Sequence, residues 1–228
     1  MYAETEKDDT LLILPVDFTI KNKEAFETAI TNAKSVAKKG YMVLIGVKPS
    51  YNEKGFGYIT TGESIGNKSK EVINFKEKPD IEETEEYNKN KNLLWNTGIY
   101  VVKTSVLKEA FKRHMSSGFF GFSKKMFDAN NKIDYKYYEN IPDISLEYAI
   151  TEKVKNLAAV ELKADWKDLG SWQAIYNNEK KDGKGNITKG NVVTDKVKNS
   201  LIYSSKELVA VSGVSDTVIV ETEDAVLV

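Results

Sequence analysis

The sequence predicts an α/β fold followed by a short all-β tail, and three observations carry the prediction. A continuous apolar run over 11–14 ends at Pro15, and a second over 42–47 has the same character. Between them Ala25, Phe26, Ala29, Ile30, Ala33, Val36 and Ala37 recur at helical spacing, and the pattern closes at Gly40. Strand, helix and strand in that order form a β-α-β unit, in which both strands are expected to be buried and parallel with a right-handed crossover. Beyond Asn177 the helical periodicity stops, and short apolar segments alternate with turn residues.

The elements follow in chain order. A helix is expected over 23–39, ended by Gly40. Shorter strands are expected over 56–60 and 72–76, separated by a polar Gly-Asn-Lys loop, and an acidic helix over 81–90. The segment 94–102 reads as a strand interrupted by Asn96 and Gly98, and a glycine inside a strand pattern marks close approach of a ligand or another backbone. Helices are expected over 104–115, 123–127 and 145–155, the last opened by Asp143-Ile144-Ser145, then a strand over 155–162 and a helix starting at 170–176. A polar linker over 180–186 leads to short strands over 192–193, 200–203, 208–211, 217–220 and 225–228. The expected division is therefore an α/β domain over 1–179 and a β segment over 180–228, which could carry dimer contacts or cover an edge.

Composition narrows the function. The 228 residues carry 33 basic and 34 acidic side chains, a formal charge of -1, so no global field draws the chain to nucleic acid or to a membrane surface. A small-molecule partner fits better. Cysteine is absent, which removes disulfides, thiolate nucleophiles and sulfur-rich zinc sites. His114 is the one histidine and lies among Lys112, Arg113 and Met115 on an amphipathic helix, an ordinary surface setting. Arg113 is the one arginine, so a bound phosphate must be met by lysines, backbone amides or a metal ion. No apolar run reaches membrane-spanning length and no signal peptide is seen, so the expected location is the cytoplasm.

Several residues could carry chemistry, each with a plainer role beside it. Asp168 stands in Asp165-Trp166-Lys167-Asp168-Leu169-Gly170-Ser171-Trp172, a carboxylate on a tight turn between tryptophans; alone, such a turn is ordinary. Asp17 follows the first apolar run, where open α/β sheets place ligands, although it equally suits a cap after Pro15. Glu77 and Lys78, before Pro79, read in isolation as a solvated charge pair. Asn96 offers one acceptor and two donors. Glu147, three residues into its helix, suits a helix N-terminus as well as a hydrogen-bond acceptor for a ligand.

The ordered set resembles a known family. Leu11-Leu12-Ile13-Leu14-Pro15-Val16-Asp17, Gly57-Tyr58-Ile59, Phe75-Lys76-Glu77-Lys78-Pro79, Leu94-Trp95-Asn96-Thr97-Gly98-Ile99-Tyr100, the 143–153 stretch and Asp168-Leu169-Gly170-Ser171-Trp172 are similar in order and spacing to the sugar-phosphate nucleotidylyltransferases. The mannose-1-phosphate guanylyltransferases, including those fused to a phosphomannose isomerase, are nearest in likeness. The resemblance implies a Rossmann-like mixed sheet flanked by helices, here incomplete, and formation of GDP-mannose and pyrophosphate from GTP and mannose 1-phosphate. It implies Mg²⁺ held by Asp17 and Asp168, with Lys78 on the sugar phosphate as a further catalytic group. Gly57, Glu77, Asn96, Gly98 and Glu147 would line the sugar site. Phe18 stands where the family commonly has histidine, and Phe56 replaces a tyrosine of its Gly-Tyr-Gly-Tyr pattern.

One family feature has no counterpart. The family opens with a Gly-x-Gly-Thr-Arg loop that grips the triphosphate, whereas no Gly-x-Gly precedes Gly55 in this sequence. The chain is therefore expected to be a truncated form with little or no activity alone. Other readings are a related pyrophosphorylase such as a glucose-1-phosphate thymidylyltransferase, or a non-catalytic sugar-phosphate-binding or oligomerisation module.

Overall fold

The computed structural model describes residues 8–51, 53–80, 82, 90–116, 119 and 132–228. The expected helices over 81–90 and 123–127 lie outside the described residues, apart from positions 82 and 90. In chain order the strands are β1 (Thr10–Ile13), β2 (Phe18–Ile20), β3 (Met42–Val47), β4 (Tyr58–Gly66), β5 (Ser69–Lys76), β6 (Leu93–Lys103), β7 (Leu157–Glu161), β8 (Trp166–Asp168), β9 (Ile187–Lys189), β10 (Val192–Asp195), β11 (Leu201–Ser204), β12 (Val209–Ser212), β13 (Val218–Glu221) and β14 (Val226–Leu227). The helices are α1 (Lys23–Ala37), α2 (Thr104–His114), α3 (Tyr135–Tyr138) and α4 (Trp172–Asn178), with a π-helical turn at Glu147–Thr151. Among the described residues no helix is long and apolar enough to cross a membrane. The chain divides into two compact units, Met1–Pro15 with Lys21–Ala164, and Val16–Ile20 with Asp165–Val228.

The first unit is built on a mixed sheet ordered β1-β6-β3-β7-β5-β4, with β4 also pairing β6. Its one parallel pairing is β3 with β7. The β-α-β expectation is corrected here. β1 is not a buried parallel strand; it pairs antiparallel with β6, which also separates it from β3. Leu11 and Ile13 pack on the core while Leu12 is exposed, the alternation of a one-faced strand that a four-residue apolar run cannot reveal.

α1 is capped by Asn22, whose side chain accepts from the Ala25 amide at 3.0 Å, and it buries Ala29, Ile30, Ala33, Val36 and Ala37. β3 is wholly buried, as its unbroken apolar run requires. β4 and β5 form one hairpin through Asn67 and Lys68, both at φ 51°, the left-handed pair that a two-residue turn needs. The residues expected as a loop between two strands are thus largely paired. The helix expected over 145–155 is instead the short π-helical turn.

β6 is the hinge of the architecture. Its register against β3 jumps from Ile45↔Ile99 to Gly46↔Asn96, so Thr97 and Gly98 form a bulge. Before the bulge Leu93 to Trp95 pair with β4; beyond it Tyr100 to Lys103 pair with β1. β6 thus changes partner across Asn96–Thr97–Gly98, from β4 before the bulge to β1 beyond it.

The second unit begins with an antiparallel ribbon of β2 and β8, in register Phe18↔Asp168. Ser171 caps α4 by accepting from the Ala174 amide at 3.1 Å. The tail is all-β, as expected, and its strands stack in parallel: β9 on β11 on β13, and β10 on β12. Val192 lies on Val209 and Leu201 on Val218, so the coil repeats with the chain spacing between those partners. The left-handed turn residues Lys196 and Asn199 recur as Gly213 and Asp216 at the same spacing. Val197, Ile202, Val211 and Ile219 fill the coil. The run expected as a polar linker is an ordered turn: the Asp182 carboxylate accepts from the amides of Lys184 and Asn186, both at 2.8 Å, and Asn186 is buried.

Candidate functional site

The candidate residues fall into two groups, one in each unit. The first gathers at the β6 bulge. Asn96 is buried; its Nδ2 donates to the Tyr100 hydroxyl at 3.0 Å, and its Oδ1 accepts from the Gly98 amide at 3.2 Å. Gly98 takes a φ of 72°, a left-handed geometry that folds the bulge back onto Asn96. The Tyr100 hydroxyl donates in turn to Glu147 Oε1 at 2.8 Å. Burial, then the Glu147 charge, pushes the Tyr100 phenol above its ordinary value, so it remains a donor.

Glu77 and Lys78 follow the end of β5 beside this chain of bonds. Glu77 is 8% exposed, and its Oε2 has no hydrogen-bond partner among the described residues. Burial raises its pKa to about 7 from 4.5; the Glu147 charge adds to the rise, Lys78 opposes it and Glu152 adds further. Lys78 Nζ lies 3.9 Å from Glu77 Oε1 and is otherwise exposed. Gly57 allows this arrangement: a Cβ there would stand 2.5 Å from Glu77 Oε2 and 3.2 Å from the Asn96 Cβ. The Gly57 carbonyl also accepts from the Asn96 amide at 2.7 Å. Trp95 is flanked edge-on by Tyr51 and Phe56, so the phenylalanine at 56 retains an aromatic contact.

The structure thus brings together Gly57, Glu77, Lys78, Asn96, Gly98 and Glu147. Carboxylate acceptors, an amide and a phenol gathered at the bulge suit a polyhydroxylated ligand, and the exposed ammonium of Lys78 suits an anion. Sequence reading missed Tyr100 and Glu152. Tyr100 lies four residues after Asn96 in the same apolar run, an even spacing that puts both on one strand face and a usable signal; Glu152, five residues after Glu147, had none, since no α-helical spacing pairs them.

The second group is Asp17 and Asp168. Asp17 is not at the end of the first strand, as the sequence suggested; it precedes β2, and its carbonyl accepts from the Leu169 amide at 2.8 Å. Asp168 ends β8, where its Oδ1 accepts from the Gly170 amide at 3.1 Å. A Cβ placed on Gly170 would lie 3.0 Å from Asp17 Oδ2 and 3.4 Å from Asp168 Oδ1, so both carboxylates turn toward the same small space. Among the described residues no group of three or more Asp, Glu or His side chains is poised to hold a metal. Two carboxylates fit Mg²⁺, which draws one or two from protein and completes its shell with water and phosphate oxygen.

The chain as a whole is similar to known proteins. Residues 1–185 match the family described as nucleotidyl transferase, and residues 190–228 match a mannose-phosphate isomerase/GMP-like β-helix domain. The alginate biosynthesis protein AlgA of Pseudomonas aeruginosa is 35% identical over 97% of this chain and 48% of its own length. The mannose-1-phosphate guanylyltransferase RfbM of Salmonella typhimurium is 33% identical over 97% of this chain and 47% of its own. The chain therefore spans about half the length of these curated relatives. A crystal structure described as a mannose-1-phosphate geranyltransferase from Thermus thermophilus superposes with a TM-score of 0.78 at 28% identity, covering 96% of this chain and 64% of that one.

Proposed function

Because this chain belongs to the nucleotidyl transferase family, we propose that it carries the sugar-phosphate and metal-binding parts of an enzyme forming GDP-mannose and pyrophosphate from GTP and mannose 1-phosphate, in the cytoplasm. The observation that carries the reading is the set at the β6 bulge, buried Glu77, Asn96 and Tyr100 with half-buried Glu147, and the Lys78 ammonium beside it. Relatives named for mannose-1-phosphate guanylyl transfer support the choice of substrate.

In that reaction a phosphate oxygen of the sugar phosphate attacks the α-phosphorus of the triphosphate, and pyrophosphate departs. Glu77, Asn96 and Glu147 bind and orient sugar hydroxyls, so that the attacking phosphate is held rather than sampled. Lys78 places a compact positive charge on that phosphate. The bulge closed by Gly98 and the approach allowed by Gly57 keep these groups preorganised. Asp17 and Asp168 would hold Mg²⁺, which when bound offsets charge on the phosphates. No segment of the sequence resembles the family's triphosphate-gripping glycine loop, so turnover by this chain alone is expected to be low.

Calorimetry with mannose 1-phosphate tests the site. Asn96→Ala and Lys78→Ala are each expected to weaken binding by about tenfold or more, and variants binding as tightly as the parent overturn the assignment. A pyrophosphate-release assay with GTP, mannose 1-phosphate and Mg²⁺ tests the second statement, which robust turnover by the 228-residue chain refutes.

A further inference from the structure

Glu152 lies outside the set that sequence reading assigned, yet it holds the peptide on which the set depends. Its Oε1 accepts from the Glu77 backbone amide at 2.9 Å, a bond between residues 75 apart in the chain. The residue after that amide is Lys78, at a φ of 44°, the left-handed region that a lysine rarely occupies without an external constraint. The residue after Lys78 is Pro79, which disfavours the helical alternative for Lys78. The latch at Glu77 therefore fixes the backbone from which the exposed ammonium of Lys78 and the buried carboxyl of Glu77 both project, 3.9 Å apart.

The π-helical turn explains how Glu152 reaches this position. Its Glu152 amide donates to the Glu147 carbonyl at 3.0 Å, a bond five residues long. In an α-helix five residues rotate the chain about 140° beyond a full turn, which would send Glu147 and Glu152 to different faces. The wider winding brings them toward one side, and both carboxylates act on Glu77. Single π turns of this kind concentrate at functional sites.

We propose that Glu152 is a positioning residue for the sugar-phosphate pair Glu77 and Lys78, acting as the acceptor that latches the Glu77 amide. The inference rests on the reading above in which that pair meets the sugar phosphate. It implies that Glu152 never touches the ligand; its contribution lies in the acceptor oxygen and not in its charge.

The test compares mannose 1-phosphate binding by calorimetry for the unmodified chain, K78A, E152A and E152Q, with exchange of the Glu77 amide followed in the same variants by NMR. Glu152→Ala is expected to weaken binding about tenfold and to speed exchange of that amide by at least as much, with the melting temperature little changed. Glu152→Gln, which keeps an oxygen acceptor, is expected to restore both to within about threefold of the parent. If the parent binds, K78A weakens binding and E152A does not, the latch is overturned while the sugar-phosphate site stands. If E152Q fails as badly as E152A, charge and not the acceptor is responsible, and the proposal is overturned. If the parent fails to bind, or K78A binds as well as the parent, the site reading falls and the inference falls with it.

Discussion

Glu77 concentrates the chemistry of the first unit at a single side chain. It is buried, one of its oxygens lacks a partner among the described residues, and two further carboxylates act on it. Its native pKa of about 7 lies above the ordinary 4.5, so between those values the folded chain holds a proton that the unfolded chain has released. Stability must therefore fall as pH rises from 4.5 to 7, by an amount of order 2 kcal/mol once solvent screening of the charge is allowed for. Glu77→Gln removes the titration, and urea unfolding across that range should show the decline in the parent and a flatter profile in the variant. Equal slopes in the two proteins would contradict the burial argument. A ligand hydroxyl donating to Glu77 favours the ionised form, so the proposed sugar-phosphate binding would be linked to proton release at this residue. This carboxyl was legible from sequence only as one half of a charge pair; its burial comes from Gly57, which lets Oε2 approach within reach of the β4 backbone.

At the scale of elements, legibility tracked length. β3, β6 and α1 are long enough for periodicity to speak, and the interruption of β6 at Asn96 and Gly98 was readable because glycine and asparagine break an otherwise apolar strand. β2 and β8 have three residues each and left no pattern, so Asp17 was assigned to the wrong strand. The π-helical turn spans five residues, too few to separate its winding from that of an α-helix. The coil of the tail was hidden for another reason: equivalent corners carry different residues, Lys196 opposite Gly213 and Asn199 opposite Asp216, so the repeat lies in backbone conformation more than in composition. Its corners depend on side chains that cap backbone. Glu221 Oε2 accepts from the amides of Ser205, Lys206 and Glu207 at 3.0, 3.2 and 3.3 Å. Burial opposes ionisation there, yet these donors hold the carboxyl below its ordinary value. A depressed native pKa stabilises above the ordinary 4.5 and loses that stabilisation as pH falls below it. Glu221→Gln should therefore lower the thermal midpoint at neutral pH by several degrees, and the gap from the parent should close as pH is taken below 4.5. A gap independent of pH would assign the loss to packing instead.

At the scale of the whole molecule, the chain carries two constellations in separate compact units: the set proposed to bind the sugar phosphate within Lys21–Ala164, and the Asp17–Asp168 pair within the unit that contains the β2–β8 ribbon. Both groups stand out in the sequence because each is built from short motifs with distinctive residues, while their partition between units was invisible, since five residues of the amino-terminal region, Val16–Ile20, join the second unit. The partition makes the two halves of the functional reading separable by mass action. Mannose 1-phosphate alone at about a hundred times its dissociation constant should raise the thermal midpoint by roughly 5–10 °C, since binding to the native state stabilises by about 2.7 kcal/mol at that saturation. Lys78→Ala, binding about tenfold more weakly, should cut that rise by about half or more and leave any rise produced by Mg²⁺ alone unchanged. Asp17→Asn with Asp168→Asn should do the reverse, removing the response to Mg²⁺, because two neutral amides replace the hard anionic ligands that the ion requires. A Mg²⁺ response that survives both substitutions would place the cation elsewhere, and a sugar-phosphate response lost with the aspartates would show that the two constellations are one thermodynamic site.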